Sequence, residues 1–343
     1  MATARSTRGA ASALLALLGA CAAPAEFTNR PPEPLAWPAP DAVPRVELEF
    51  AYGRTSDAVR HPGFWSGLLR VFVGEEQAQL VSPTGLCAQG EVLWIADAGA
   101  ACVHRLSLDS GEHLVLRGHD EHPFHTPVGV AAAPDGRVYV SDAGNAWITV
   151  LDDDGRAERC FGGPEVIGRP TGVCYDAERE RLLVVDTTGC RLLAFAPDGA
   201  LRASVGERGT EPGQFNFPTN LAQASDGRVV VVDSMNFRVQ VLTPDLRPLH
   251  AFGRVGRGPG DFANPKGVAL DTADHVYVVD SMFDNFQIFD LQGQLLLAVA
   301  STGQGHGQLY LPTGIHIDRT DRIFVADAGN SRVHVMRLHG GAP

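Results

Sequence analysis

Lysine is all but missing from these 343 residues: Lys266 is the single one. Positive charge is scarce altogether, with 28 Lys and Arg against 40 Asp and Glu and a formal net charge of −12. An acidic chain repels phosphate backbones, which excludes nucleic acid as the expected partner. Long apolar runs are missing too: past residue 20, none reaches the roughly eighteen residues that span a bilayer. There is no GxSxG, HExxH, phosphate-binding loop or CxxC, so the local signatures of serine hydrolases, zinc proteases, nucleotide binders and dithiol enzymes are absent. A Ser/His/Asp set assembled only in space stays open. Helical periodicity is confined to one short stretch, so no helical domain is expected.

What is present begins with a leader. Residues 1–20 carry Arg5 and Arg8, then the apolar run ALLALLGA, and Cys21 follows. A basic start, a short apolar core and small residues before a cut describe a secretion signal. The ending LLGAC resembles a bacterial lipobox, which implies a lipid on Cys21 and a membrane-held protein of the cell envelope. Ala22 after that cysteine resembles the pattern sorted to the outer membrane of Gram-negative cells. Residues 21–44 hold Pro24, Pro31, Pro32, Pro34, Pro38, Pro40 and Pro44. So many prolines read as an extended tether, at about 3.1 Å per residue.

From residue 80 onward the chain repeats itself. Short strands end in aspartate six times: VLWIAD (Asp97), RVYVSD (Asp142), RLLVVD (Asp186), RVVVVD (Asp233), HVYVVD (Asp280) and RIFVAD (Asp327), spaced by 45, 44, 47, 47 and 47 residues. Each unit opens on a proline, at Pro83, Pro127, Pro170, Pro218, Pro265 and Pro312. Three residues earlier sits a large apolar residue: Leu80, Phe124, Ile167, Phe215, Phe262 or Leu309. Each unit has room for four short strands divided by Gly, Pro and Asp turns. One such sheet cannot bury both faces, but six arranged around an axis can. The expected fold is all-β: a six-bladed β-propeller of four-stranded antiparallel blades over residues 45–339. In the repeated turn, Asp is expected to accept amide bonds, Asn to take a left-handed backbone, and Arg to reach an acid or carbonyl.

The stretch GRVVVVDSMNFRVQVLTPDLRPLHAFGRVGRGPGDFANP, with the other units, resembles an NHL repeat, from about residue 80 to 338. Blades four and six keep both Asn and Arg in the turn (Asn236 and Arg238, Asn330 and Arg332). Blade two has Trp147 in place of Arg, blade five has Phe283 and Asn285, and blade one has Ala100 and Cys102. Propellers of this family bind partners on a face or in the axial channel. Amidating lyases that resemble it hold a metal with histidines just after the opening proline. The corresponding residues here are Thr84, Val128, Thr171, Thr219, Lys266 and Thr313, none of them histidine.

After the sixth opener the chain has room for three strands, so the fourth must come from the N-terminus. RVELEFAY, residues 45–52, alternates Val46, Leu48 and Phe50 with glutamates and is expected to close the ring. In residues 57–79, Phe64, Trp65, Leu68, Leu69, Phe72 and Val73 recur on one helical face, which predicts a short amphipathic insertion. Its apolar face, Trp65 and Leu69 above all, is expected to cover the channel mouth or to dock a partner.

Candidate chemistry is sparse. His119, Asp120, Glu121, His122 and His125 lie close in sequence, and imidazole with carboxylate suits zinc-like ions. This is the one metal candidate, and no other cofactor is expected. Lys266 and Asn220 depart from the opener pattern near the axis and are candidates for holding an acidic or polar ligand. His316 lies near the axis in blade six. Cys87, Cys102, Cys160, Cys174 and Cys190 are expected as free thiols, since Cys87 and Cys174 occupy equivalent places in blades that do not touch. The functional expectation is an envelope lipoprotein whose propeller binds an envelope protein or a small ligand. The alternative is a metal-dependent lyase- or lactonase-like enzyme working in the channel.

Overall fold

The protein was analysed as a computed structural model, which describes residues 25–38, 46–59 and 78–339. Six antiparallel sheets surround an axis, and the first five run outward in chain order. Blade four is representative: Pro218–Gln223 is innermost, then Val229–Asp233, Arg238–Leu242 and Pro248–Phe252. Strand chemistry follows position. Each second strand is covered on both faces by neighbouring blades, so VVVVD is buried throughout. The outermost strand PLHAF is exposed except at Phe252. The core is therefore a set of wedges between blades. In one of them Tyr139, Ile148 and Phe161 of blade two meet Val173, Leu182 and Phe195 of blade three. Five of the six apolar residues ahead of the openers are 0% exposed and Phe124 is 6%, which pins each bridge into a wedge.

The ring closes as the alternation of residues 45–52 predicts. Val46–Tyr52 pairs antiparallel with Arg332–Leu338, from Val333 opposite Tyr52 to Leu338 opposite Val46, and completes blade six. Blade six then gains a fifth strand, because Ala36–Trp37 pairs with Val46 and Glu47. Residues 25–38 thus depart from the extended tether expected over 21–44. Glu26–Phe27 pairs with Ala58–Val59, Phe27 stacks on Phe50 at 4.3 Å, and Leu35 and Trp37 pack against the core between blades five and six. Single apolar residues set among the prolines hold the segment down. The helix expected over 57–79, with Trp65 and Leu69, falls mainly on residues 60–77, outside those described. Among the described residues the only helical turns are 3-10, at Thr55–Asp57, Ser234–Asn236 and Ala328–Asn330.

The recurring aspartate is a latch between the second strand and the bridge that enters the same blade. Asp97 accepts bonds from the amides of Val81 and Ser82, Asp142 from His125 and Thr126, and Asp186 from Gly168 and Arg169. Asp233, Asp280 and Asp327 do the same for Asn216, for Ala263 with Asn264, and for Tyr310. In blades four and six the turn arginine completes the latch. Arg238 donates to Asp233 at 2.8 Å and to the bridge carbonyls of Thr210, Glu211 and Gln214, and Arg332 does likewise with Asp327. The asparagine has a different task from the one expected. Asn236 and Asn330 donate to the latch carboxylate and to a bridge carbonyl, while the left-handed residue is the next one, Phe237 or Ser331. The amide can reach both acceptors only if the chain reverses after it.

Candidate functional site at the propeller axis

The inner strands converge at the third residue of each opener. A Cβ on Gly267 would come within 2.7 Å of the Thr313 carbonyl oxygen, and on Gly85, Gly129, Gly172 or Gly314 closer still to the next blade. Glycine is there because backbone approaches backbone. Only blade four carries a side chain at this level, Asn220, whose Oδ1 accepts the Leu221 amide at 2.8 Å. One residue earlier, hydroxyls stitch the ring. Thr84 donates to the Pro127 carbonyl, Thr219 to Lys266 and Thr313 to Pro83, while Ser141 and Thr187 from the second-strand side serve Thr171 and Pro218. Between blades five and six no such bond exists among the described residues, and Lys266 occupies the threonine place.

Below the glycine ring the channel opens into a cavity of about 220 Å³ and then a mouth of about 670 Å³ on the face of the hairpins that join first and second strands. The cavity wall carries no Asp, Glu, Lys or Arg among the described residues. Its titratable groups are held neutral. Burial pushes the Cys87 thiol up to about 11 and Cys174 to about 12, and raises Tyr175. Burial also pushes His316 down to about 4, against the opposing pull of the Ala88 backbone and Asp318. Its Nε2 is shut off from solvent and has no hydrogen-bond partner.

Lys266 sits at the opposite end of the channel, half-buried. Burial and then the nearby Arg169 guanidinium lower its pKa, and Asp280 partly offsets them. Arg169, unlike Lys266 and Asn220, carries no sequence signal, since it is simply the residue before an opener. Of the histidine cluster, the structure brings the His119 and His122 rings together, stacked at 6.2 Å. His119 accepts the Glu121 amide, His122 stacks on Trp147 at 4.3 Å, and exposed His125 bonds Thr126. Trp147 thus substitutes a stack for the missing turn arginine. Among the described residues no group of three or more His, Cys, Asp or Glu is placed to hold a metal. The five cysteines after Cys21 are free.

A further polar chain was invisible in the sequence. Tyr52 on the closing strand bonds His113 at 2.8 Å, His113 bonds His104 at 2.7 Å, and His104 lies 3.4 Å from Asp97. It fastens the ring seam between blades six and one. Residues 52 and 113 are too far apart in sequence for any local pattern to announce it.

The fold and its axis define a six-bladed β-propeller. The family model for the NHL repeat matches residues 124–151, 215–242 and 309–336, so blades two, four and six of this propeller carry NHL repeats. No curated protein matches the chain. Among solved structures it is similar to a streptogramin B lyase (14% identity, 76% of this chain and 94% of that one, TM-score 0.58). A structural genomics protein of unknown function from Bacteroides thetaiotaomicron is 21% identical over 76% of this chain and 70% of that one, with a TM-score of 0.60. A chain of a nidogen/laminin complex is 20% identical over 73% and 89%, with a TM-score of 0.54. These likenesses show the fold.

Proposed function

We propose that this protein is a binding propeller of the cell envelope, anchored by a lipid on Cys21, which takes a small uncharged ligand into its axial cavity. The observation that carries this reading is the neutrality of the cavity wall. A protonated thiol is a poor nucleophile, and a histidine with a pKa near 4 is a weak base at neutral pH. The wall is otherwise backbone, aliphatic side chains such as Leu86, Val130 and Leu221, and the amides of Asn220 and Gln223, which suits binding with few directing polar groups. The Asn220 and Gln223 amides and the Tyr175 hydroxyl supply those groups. The same architecture serves a lyase in one structural neighbour and a protein complex in another, so the fold itself does not choose. Metal-dependent lyase- or lactonase-like chemistry would need ligands that the described residues do not bring together.

The test is native mass spectrometry of the intact protein and of Ala222→Trp, which fills the cavity from blade four. A bound mass present in the parent and lost in the variant supports the reading. Stoichiometric zinc or a related metal in the purified protein, removed by His316→Ala, would replace it with the enzymatic one.

A further inference from the structure

The polar chain from Tyr52 to Asp97 has one consistent way to place its hydrogens. A carboxylate accepts and does not donate. Asp97 is held ionised: burial opposes the charge, but His104 and the amides of Val81, Ser82 and Ala100 outweigh it. His104 is 1% exposed, and its Nε2 lies 3.4 Å from that carboxylate and 3.3 Å from the Cys102 sulfur, so Nε2 carries the hydrogen. A neutral His104 then accepts at Nδ1, 2.7 Å from His113 Nε2. A neutral His113 in turn accepts at Nδ1 from the Tyr52 hydroxyl at 2.8 Å. Every donor points toward Asp97, and both imidazoles are uncharged. No other blade carries such a chain. The place of His104 is taken by Thr149, Leu193, Gln240, Gln287 and His334. His334 also lies 3.4 Å from its latch aspartate, but its Nδ1 has no hydrogen-bond partner.

Acid disturbs this order in two steps. One added proton is absorbed if the Tyr52 hydroxyl turns round to accept from His113. A second puts N–H donors on both sides of the 2.7 Å contact, with a positive charge on each ring, and the contact is lost. Asp97 offsets one of those charges. Burial and then Asp97 push the Cys102 thiol up to about 11 against the pull of Arg117, so the sulfur supplies no charge. Asp57 is taken up by the Gly53 and Arg54 amides and the Arg54 guanidinium. Asp109 and Glu112, in the hairpin before His113, are exposed and screened by water.

Residues 25–38 are fastened on both sides of this contact. On the closing strand, Phe27 stacks on Phe50 at 4.3 Å and meets Tyr52 edge-on at 5.9 Å. On blade one, the Ala25 amide donates to the Asp109 carbonyl, in the hairpin that leads to His113. Driving His113 off His104 shifts that hairpin against Tyr52 and pulls the two footholds apart. We propose that the chain from Asp97 to Tyr52 is an acid-sensitive clasp, and that protonation of both histidines frees residues 25–38 from the propeller. The closed clasp holds at most one added proton and the open clasp holds two. Free imidazoles titrate near about 6.5, so the open fraction grows about tenfold for each pH unit below that. The clasp lies at the ring seam, away from the axial cavity, and is independent of the ligand proposed there.

The test is hydrogen exchange of the whole protein, read by mass between about pH 7.5 and about pH 5 and corrected for the intrinsic pH dependence of exchange. Peptides covering residues 25–38 are expected to lose protection about tenfold per pH unit below about 6.5, while Val229–Asp233 of blade four keeps its own. His104→Gln places there the residue that blades four and five already carry, and it cannot gain a proton in this range. In that variant and in His113→Gln, residues 25–38 should stay protected at both ends of the range. His334→Gln should behave as the parent does. Protection of residues 25–38 that ignores pH in the parent overturns the proposal, as does a dependence that persists in either His104→Gln or His113→Gln. A segment unprotected at every pH in both variants would make the chain a structural tie and no switch. Loss of protection through all six blades at once would be global acid unfolding, and would overturn it too.

Discussion

At the scale of single residues, the fold depends on six carboxylates that are at most 1% exposed. Burial raises the pKa of such a group, and only bonds to its charged form can hold it ionised. Asp186 shows the balance: burial opposes ionisation, and the amides of Arg169, Gly168 and Gly189 with the Arg191 guanidinium outweigh it, so its pKa lies below the usual carboxylate value. A depressed pKa stabilises the fold fully above the unfolded value of about 3.9, and this is lost as the pH falls below that and through the folded value. Asp186→Asn is therefore expected to be less stable at neutral pH and to lose stability less steeply on acidification, as followed by denaturant melts between about pH 6 and pH 3. An unchanged acid slope would mean that the latch is not a charged one. Asp233→Ala goes further, because it strands Arg238, Asn236 and Gln240 together. Breaking a buried ion pair from one side costs about 3–5 kcal/mol, and urea unfolding should show a loss of that size. A loss below about 1 kcal/mol would place the latch among ordinary surface pairs.

At the scale of elements, what could be read in advance was whatever repeats or alternates. The second strands, the openers and the wedge residue from Leu80 to Leu309 all recur with the blade, and Val46, Leu48 and Phe50 alternate. Each announced a buried face. Residues 25–38 could not be read that way, because Phe27 and Trp37 dock singly and carry no period. The candidate site was half legible. Lys266 and Asn220 showed as exceptions within a repeat, whereas Arg169 and the chain from Tyr52 to Asp97 depend on blades that only the closed ring brings together. The closing strand also carries that seam. Deleting residues 46–52 removes Tyr52 from His113, uncovers Phe27, and bares the backbone edge of Arg332–Leu338. An open edge on a strand of seven residues invites pairing between molecules. The shortened protein is expected to unfold over a broad denaturant range and to self-associate, with sedimentation velocity as the check. A monomer melting as sharply as the parent would show that three strands suffice for blade six.

At the scale of the whole molecule, the docked N-terminal segment decides how a lipid at Cys21 would present the propeller. The Ala25 amide donates to the Asp109 carbonyl at 2.5 Å, in the turn between the third and fourth strands of blade one. Only three residues separate that point from Cys21, and the four steps of chain, at about 3.3–3.6 Å each, reach no more than roughly 14 Å. A spacer of residues 21–44 running free would instead let the domain stand tens of ångströms away and turn at will. If Cys21 carries a lipid, the short reach would set the face bearing that turn and the wide cavity mouth near the bilayer, with Lys266 and the aspartate latches facing away from it. Cys21→Ser comes first: release from the membrane fraction is expected, and full retention would remove the anchor from the account. For the anchored protein, a fluorophore on Ser110→Cys should be strongly quenched by lipids carrying a quencher near the headgroup, and one on Met282→Cys, in a turn of the opposite face, only weakly. Equal quenching at both positions would mean that residues 25–38 leave the propeller when the lipid is in the membrane, and that the proline-rich segment works as a free tether after all.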